Sequence, residues 1–229
     1  MARAAVADGS RVVAATPHVR DDYPTDATEM EDGVAALREA LVAEGVELDL
    51  LTGGEIALDQ LALLDTDDLA RFGLAGNRNC LLLEFPYYGW PLALETRAFE
   101  LRKRGFVIVL AHPERNAEVQ SAPGRLERLV EQGALVQLTA ASVDGRLGRT
   151  SRKTAFRLLE LGLAHLVASD AHTPDVRAVG LAAAAEAVGD SALAQWLTEA
   201  VPAAIVAGAQ IPDRPPARRS RSLGALRRR

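Results

Sequence analysis

An α/β fold built on a parallel sheet, open or closed into a β/α barrel, is what this sequence predicts, and three observations carry that expectation. Short apolar runs of strand length recur along the chain. Most of them alternate with segments of helical spacing. Nearly every run ends on a carboxylate or an imidazole, at the end where β/α folds gather their active sites. With 229 residues, 48% of them hydrophobic, the chain can bury one substantial core, so one domain is expected.

The elements follow in order. Ala2 to Asp8 reads as the last turns of an Ala-rich helix that Gly9 stops, and Val12 to Ala15 as the first strand. The polar stretch PHVRDDYPTDAT is read as a loop. It leads into a helix from about Glu29 to Glu44, in which Met30, Val34, Leu37 and Leu41 share one face and which Gly45 ends. Further strands are expected at Glu47 to Leu51, Cys80 to Leu83, Phe106 to Leu110, Leu135 to Leu138 and Leu166 to Ala168. Helices fit at Leu92 to Arg104, Arg125 to Gln132 and Ser151 to Leu161, with more helix between Ala178 and Gly208.

Composition narrows the function classes. No run approaches the roughly 20 consecutive apolar residues of a membrane span, and the start lacks the pattern of a signal peptide, so no membrane span and a cytoplasmic location are expected. The single cysteine, Cys80, allows neither an internal disulfide nor a Cys-rich zinc cluster and reads as a small buried strand residue. The net charge is −5, yet the stretch from Pro212 onward holds seven arginines against the one acidic residue Asp213. Residues 212–229 are therefore read as a disordered basic tail behind a domain at 1–211. No aromatic residue is interleaved in the tail for stacking on bases, so no nucleic-acid partner is expected.

The strand ends carry the chemistry. VVAATPH ends in His18, LDLLTGGE in Glu55, CLLLE in Glu84, VIVLAH in His112, and LVASDAH in Asp170 and His172. Gathering Glu55, Glu84 and Asp170 at one mouth without a counter-charge is costly, because like carboxylates raise one another's pKa. A bound cation removes that conflict. Three imidazoles and three carboxylates without sulfur suit Mn²⁺, Zn²⁺ or Fe²⁺. His165 precedes its strand, at the opposite end, and is read as structural. Arg115, three residues past His112, and Arg177, five past His172, are the candidates for binding an oxyanion substrate and stabilising charge in its transfer. Tyr87, Tyr88 and Trp90, beside Glu84, form either an aromatic wall or packing over the sheet mouth.

The motifs TPH, GGEI, LLEFP, HPER and ASDAH, in this order, resemble the bacterial protein tyrosine phosphatases of the PHP (polymerase and histidinol phosphatase) superfamily that serve capsule and exopolysaccharide synthesis. The resemblance runs from residue 1 to about residue 209. It implies a distorted seven-stranded β/α barrel with three metal ions, manganese first, and hydrolysis of phosphotyrosine on a partner tyrosine kinase of polysaccharide export. By resemblance Glu55, Glu84 and His112 hold one ion, Glu55 and Asp170 belong to a second, and His18 and His172 to a third, with Arg115 and Arg177 as the catalytic arginines. Members of the family begin with a strand bearing a His-x-His pair and a loop with a metal-binding Asp. Neither precedes Ala2 here, so the barrel is expected to lack its first strand, with a start upstream of Met1 expected ahead of a degenerate enzyme. A phosphocysteine route is not expected, since Cys80 has no arginine six residues on. Two alternatives stand beside this one: a PHP phosphoesterase for a small phosphate ester such as histidinol phosphate, and a non-catalytic metal-binding module.

Overall fold

The computed structural model describes residues 1–173 and 178–216. Nine strands are found among them: β1 Val12–Ala14, β2 His18–Arg20, β3 Tyr23–Pro24, β4 Asp49–Leu51, β5 Glu55–Ala57, β6 Cys80–Glu84, β7 Val107–Ala111, β8 Leu135–Thr139 and β9 Leu166–Ala168. One sheet runs β3-β2-β5-β6-β7-β8-β9, all of it parallel except the β2–β3 hairpin, and β1 pairs with β4 apart from it.

The two sheets are one ribbon with a break. Val12 pairs with Asp49 and His18 with Glu55, the same offset of 37 positions in both halves. Across the break the backbone stays in step, with Ala15 N–H donating to Leu51 O and Glu55 N–H to Pro17 O. The break is local chemistry: Pro17 has no N–H for a ladder, and Gly54 sits so close to Phe72 that a Cβ there would stand 2.7 Å from the ring. Six parallel strand lines result, at the six places where apolar runs predict strands.

The polar stretch after Pro17 is not the loop expected of it. It holds β2 and β3, because His18–Arg20 continue the β1 line and pair with β5. The next helix starts earlier than expected. Numbered in chain order after α1 Ala2–Ala7, helix α2 spans Ala27–Ala43, and Asp26 caps it in a capping box with Glu29. Segments the sequence left as loops carry short helices, α3 Thr66–Arg71 among them. Two more short helices, α5 Ala117–Ser121 and α7 Ala140–Val143, fall where no helix is expected, while α4 Leu94–Lys103 and α6 Glu127–Glu131 lie within the expected spans and α8 Arg149–Glu160 begins just ahead of its own, followed by a run of short helices from Ala182 to Ala207.

The core lies along β6, β7 and β8, where Leu81, Val109, Leu110, Val136 and Leu138 are fully buried. The ring of strands does not close. Among the described residues β1 pairs only with β4 and β9 only with β8, and a groove of about 1810 Å³ runs between them, walled by α2 and by residues of the last helices. Of the expected tail, the first residues belong to the body: Trp196 Nε1 donates to Pro212 O at 2.9 Å and Arg214 Nη2 to Leu159 O at 2.7 Å. Residues 217–229 lie outside the described residues. No described helix is long and apolar enough to cross a membrane.

Candidate metal centre and phosphate site

The parallel ladder itself assembles the mouth. His18 is the register partner of Glu55, Glu84 of both Ala57 and Ala111, and Ala111 of Gln137. His112 follows Ala111 and donates its N–H to Gln137 O. Side chains distant in sequence therefore meet because their strands end level.

Glu55 stands at the centre. Its Oε1 meets His112 Nε2 at 2.8 Å, and its Oε2 lies 3.6 Å from His18 Nδ1. His18 Nδ1 is also 3.8 Å from Glu84 Oε2. Two sets of three can each bring a ligand atom within 4.8 Å of the others: His18, Glu55 and Glu84, and Glu55, His112 and Asp170. Glu55 belongs to both, as a bridging carboxylate would. This division differs from the one the resemblance implies, since it joins His18 to Glu84 and His112 to Asp170. His172 lies beside both sets, its ring 5.6 Å from that of His18 and its Nδ1 3.0 Å from Asp170 O.

The donors fit divalent ions. The Nδ1 atoms of His18 and His112 are buried without a hydrogen-bond partner. The separations from His18 to the carboxylates are too long for hydrogen bonds, whereas two ligands of one ion with bonds of about 2.1 Å stand about 3 to 3.5 Å apart. Backbone strain marks the same residues: His112 (φ 41) and Asp170 (φ 48) are in the left-handed region, which side chains occupy only where their surroundings over-determine it.

Electrostatics agree with the geometry. Burial works against charge on Glu55, but the hydrogen bond with His112 and the charges of His112, His18 and His172 outweigh it and hold its carboxyl below the usual range. Burial likewise opposes the charged imidazole of His112, and the bond to Glu55 overrides it, raising His112. Cys80 is buried at the far end of β6 from Glu84, and burial pushes its thiol up to about 12. It cannot act as a thiolate.

Arg115 reaches the cluster, its Nη1 donating to Asp170 Oδ2 at 2.9 Å and its guanidinium carbon lying 4.7 Å from the Tyr87 ring centre. Arg177 lies outside the described residues. The three aromatics part company. Tyr87 stacks near His112, with ring centres 6.1 Å apart and planes 15° from parallel. Tyr88 faces solvent, and Trp90 packs on Phe85 beneath Arg125. His165 is remote from the mouth, its Nδ1 accepting from Val136 N–H at 3.1 Å, as a structural histidine does.

Three site residues escaped the reading of the sequence. Arg20 donates to Glu84 Oε1 at 2.8 Å while Asp22 and the Tyr23 ring hold its other side. Its signal was its place two residues after His18, which on a strand is the same face. Glu114 is fully buried, and burial raises its carboxyl. Asn116 is nearly as buried. Both alternate with Arg115 in a polar run that directly follows an apolar strand.

Residues 1–200 match the family described as capsular polysaccharide synthesis, CpsB/CapC. The chain belongs to the CpsB/CapC family. Within it, the chain is 36% identical over 180 residues to the tyrosine-protein phosphatase YwqE of Bacillus subtilis, a stretch of 77% of this chain and 70% of that protein. It is 25% identical over 177 residues to the tyrosine-protein phosphatase CpsB of Streptococcus pneumoniae, covering 74% and 72% of the two chains. A solved structure from work on YwqE and CpsB, described as unique metal-dependent tyrosine phosphatases, superposes with a TM-score of 0.84 at 30% identity, covering 94% of this chain and 88% of that one. The α/β architecture of this CpsB/CapC member is thus that of a solved relative.

Proposed function

We propose that this chain hydrolyses phosphotyrosine on a protein in a reaction that needs divalent metal ions, with manganese the first choice over zinc or iron. The substrate in this reading is a tyrosine kinase of polysaccharide export, met in the cytoplasm. One observation carries it: Glu55 is shared by two sets of side chains that could each hold an ion, and Arg115 bonds Asp170 of one of them. The named activity of the CpsB/CapC relatives supports it.

When bound, divalent ions supply an acidified water and neutralise charge on the phosphoryl group. The chain's own residues do the rest. His18, Glu55, Glu84, His112, Asp170 and His172 are the proposed ligands. Arg115, steadied by Asp170 and Tyr87, offers N–H donors to phosphoryl oxygens and stabilises the charge that grows on them, and Arg177 is proposed to share that role. Arg20 holds the outer oxygen of Glu84 and leaves Oε2 for the cluster.

Release of phosphate from a phosphotyrosine peptide with added Mn²⁺ tests the reading. Expected are turnover that chelator abolishes, and a loss of about 10²- to 10³-fold in kcat on Arg115→Ala with the melting temperature little changed. Binding of the peptide without phosphate release, or full turnover after exhaustive chelation, overturns it.

A further inference from the structure

The five residues after β7 are packed in a way that the ligand set does not explain. His112, Glu114 and Asn116 are 2%, 0% and 1% exposed, and Arg115 projects from between the last two toward Asp170 and Tyr87. A buried polar group is tolerated where its hydrogen bonds are made, so the partners of Glu114 and Asn116 show what they hold.

Glu114 ties the turn to the neighbouring strand line. Its Oε1 accepts from Thr139 N–H at 3.0 Å and from Ser142 Oγ–H at 2.6 Å, at the end of β8 and in α7. Gln120 Nε2 donates to the Glu114 carbonyl at 3.0 Å and closes the turn from the other side.

Asn116 faces the opposite way and uses its whole capacity. Its Oδ1 accepts from Glu118 N–H and Val119 N–H, which caps α5. Its Nδ2 donates to Pro86 O at 2.6 Å and to Gly89 O at 2.9 Å. An aspartate or a serine would cap the helix as well, so capping leaves the two donors unaccounted for. They staple the 86–89 segment to the turn, and Ala117 N–H bonds Tyr87 O at 2.9 Å within the same seam. Tyr87 is the residue so fixed, and its ring lies against both Arg115 and His112. The His112 backbone, at φ 41 and ψ 44, lies in the left-handed region and persists there only where its surroundings hold it.

We propose that Glu114 and Asn116 are positioning residues: anchored to β8 and to the 86–89 segment respectively, they fix Arg115 and its Tyr87 support in the attitude that meets the phosphoryl group, and touch no substrate themselves. This rests on the phosphatase reading of the same site. Misplacing a charge-stabilising group by about 1 Å costs on the order of 100-fold in rate, so the effect falls on turnover.

Asn116→Ser is the sharp variant, because the hydroxyl keeps the cap and removes the two donors. Asn116→Asp is its companion with the same loss. Glu114→Ala and Glu114→Gln form the second pair, since the amide oxygen of Gln can still accept from Thr139 and Ser142. Four quantities are measured: kcat and KM on a phosphotyrosine peptide, bound manganese, the melting temperature, and the ¹H–¹⁵N signal of the Arg115 side chain. For Asn116→Ser, kcat is expected to fall about 10- to 100-fold with KM, bound metal and melting temperature close to wild type. Combined with Arg115→Ala it should cost nothing more, and Glu114→Gln should recover most of the kcat that Glu114→Ala loses. The Arg115 signal should move to the position of an unrestrained arginine in Asn116→Ser. That signal needs no turnover, so a wild type that releases no phosphate sinks the phosphatase reading alone, whereas an unmoved signal sinks the positioning role. Losses that multiply with Arg115→Ala, or that follow the melting temperature, also overturn it.

Discussion

The two sides of the strand-tip mouth are built to different tolerances. On the β6–β7–β8 side every strand is five residues long and sheathed on both faces, and the site residues it delivers, Glu84 and His112, are buried. On the other side β1 and β9 are three residues long, each has one neighbour among the described residues, and the groove lies between them. Val12, Leu37 and Val206 line that groove and are 46%, 53% and 43% exposed. The ligands share the asymmetry: His112 is 2% exposed in its side chain, His18 21% and His172 36%. The lesson concerns preorganisation. The closed side holds its donors through the core, whereas His18 is held by its pairing with β5 and by ring contacts with Tyr23 and His172, and His172 by His18 and Asp170.

Truncating one leucine on each side is the strongest way to break this comparison. Leu138→Ala on β8 removes a fully buried side chain and should cost about 2 to 5 kcal/mol of unfolding free energy, cavity included. Leu37→Ala, on the groove face of α2, should stay within about 0.5 kcal/mol. Denaturant titrations of both variants decide it. Equal losses would mean that the groove face is as well covered as the core, and the asymmetry would be gone.

That asymmetry also governs what the sequence revealed. Apolar strands buried on both faces read as continuous runs, so β6, β7 and β8 are legible to within a residue, and Glu84 and His112 stand out at the tips of β6 and β7. Glu55, Glu84, His112 and Asp170 were found that way and do converge. Where the strand line breaks at Pro17, the pattern failed. His18–Arg20 carries two polar residues of three, so β2 passed for loop and Arg20 with it. Glu114 and Asn116 were hidden for another reason, since burial of a polar side chain depends on partners such as Ser142 and Pro86 O that no local spacing announces. The cap at Asp26 is written in the local sequence as D-A-T-E, a capping-box spacing.

A middle-sized effect comes from the far end of the sheet, where His165, just before β9, meets Val136 of β8. Burial, with Arg214 adding its charge, pushes the His165 imidazole down to about 4. A native pKa below the unfolded value of about 6.5 means that between those two values the unfolded chain binds the proton and the folded chain does not. Stability therefore falls as pH drops through that window, by at most about 1.4 kcal/mol per pH unit, and levels off once both states are protonated. His165→Asn keeps an acceptor for Val136 N–H and should flatten this part of the curve. Superimposable stability curves for the two proteins from pH 6.5 to 4.5 would show that another group carries the acid sensitivity.

The smallest effect tests whether the open side stands on local signals. Helix α2 is 17 residues long and walls the groove, yet only Ala27, Met30 and Val34 among its residues are buried. A helix with so narrow a buried stripe draws an unusual share of its stability from its own ends. Asp26 supplies that at the N-terminus, its side chain accepting from Glu29 N–H at 2.8 Å while Glu29 answers to the Asp26 N–H. Asp26→Ala should cost about 1 kcal/mol and Asp26→Asn very little. Hydrogen exchange locates the loss: the amides of the first turns of α2 should exchange faster in Asp26→Ala, while those of β7 follow the global unfolding free energy. If α2 and β7 lost protection by the same amount, α2 would unfold only with the core, and the two sides would form one cooperative unit despite their different burial.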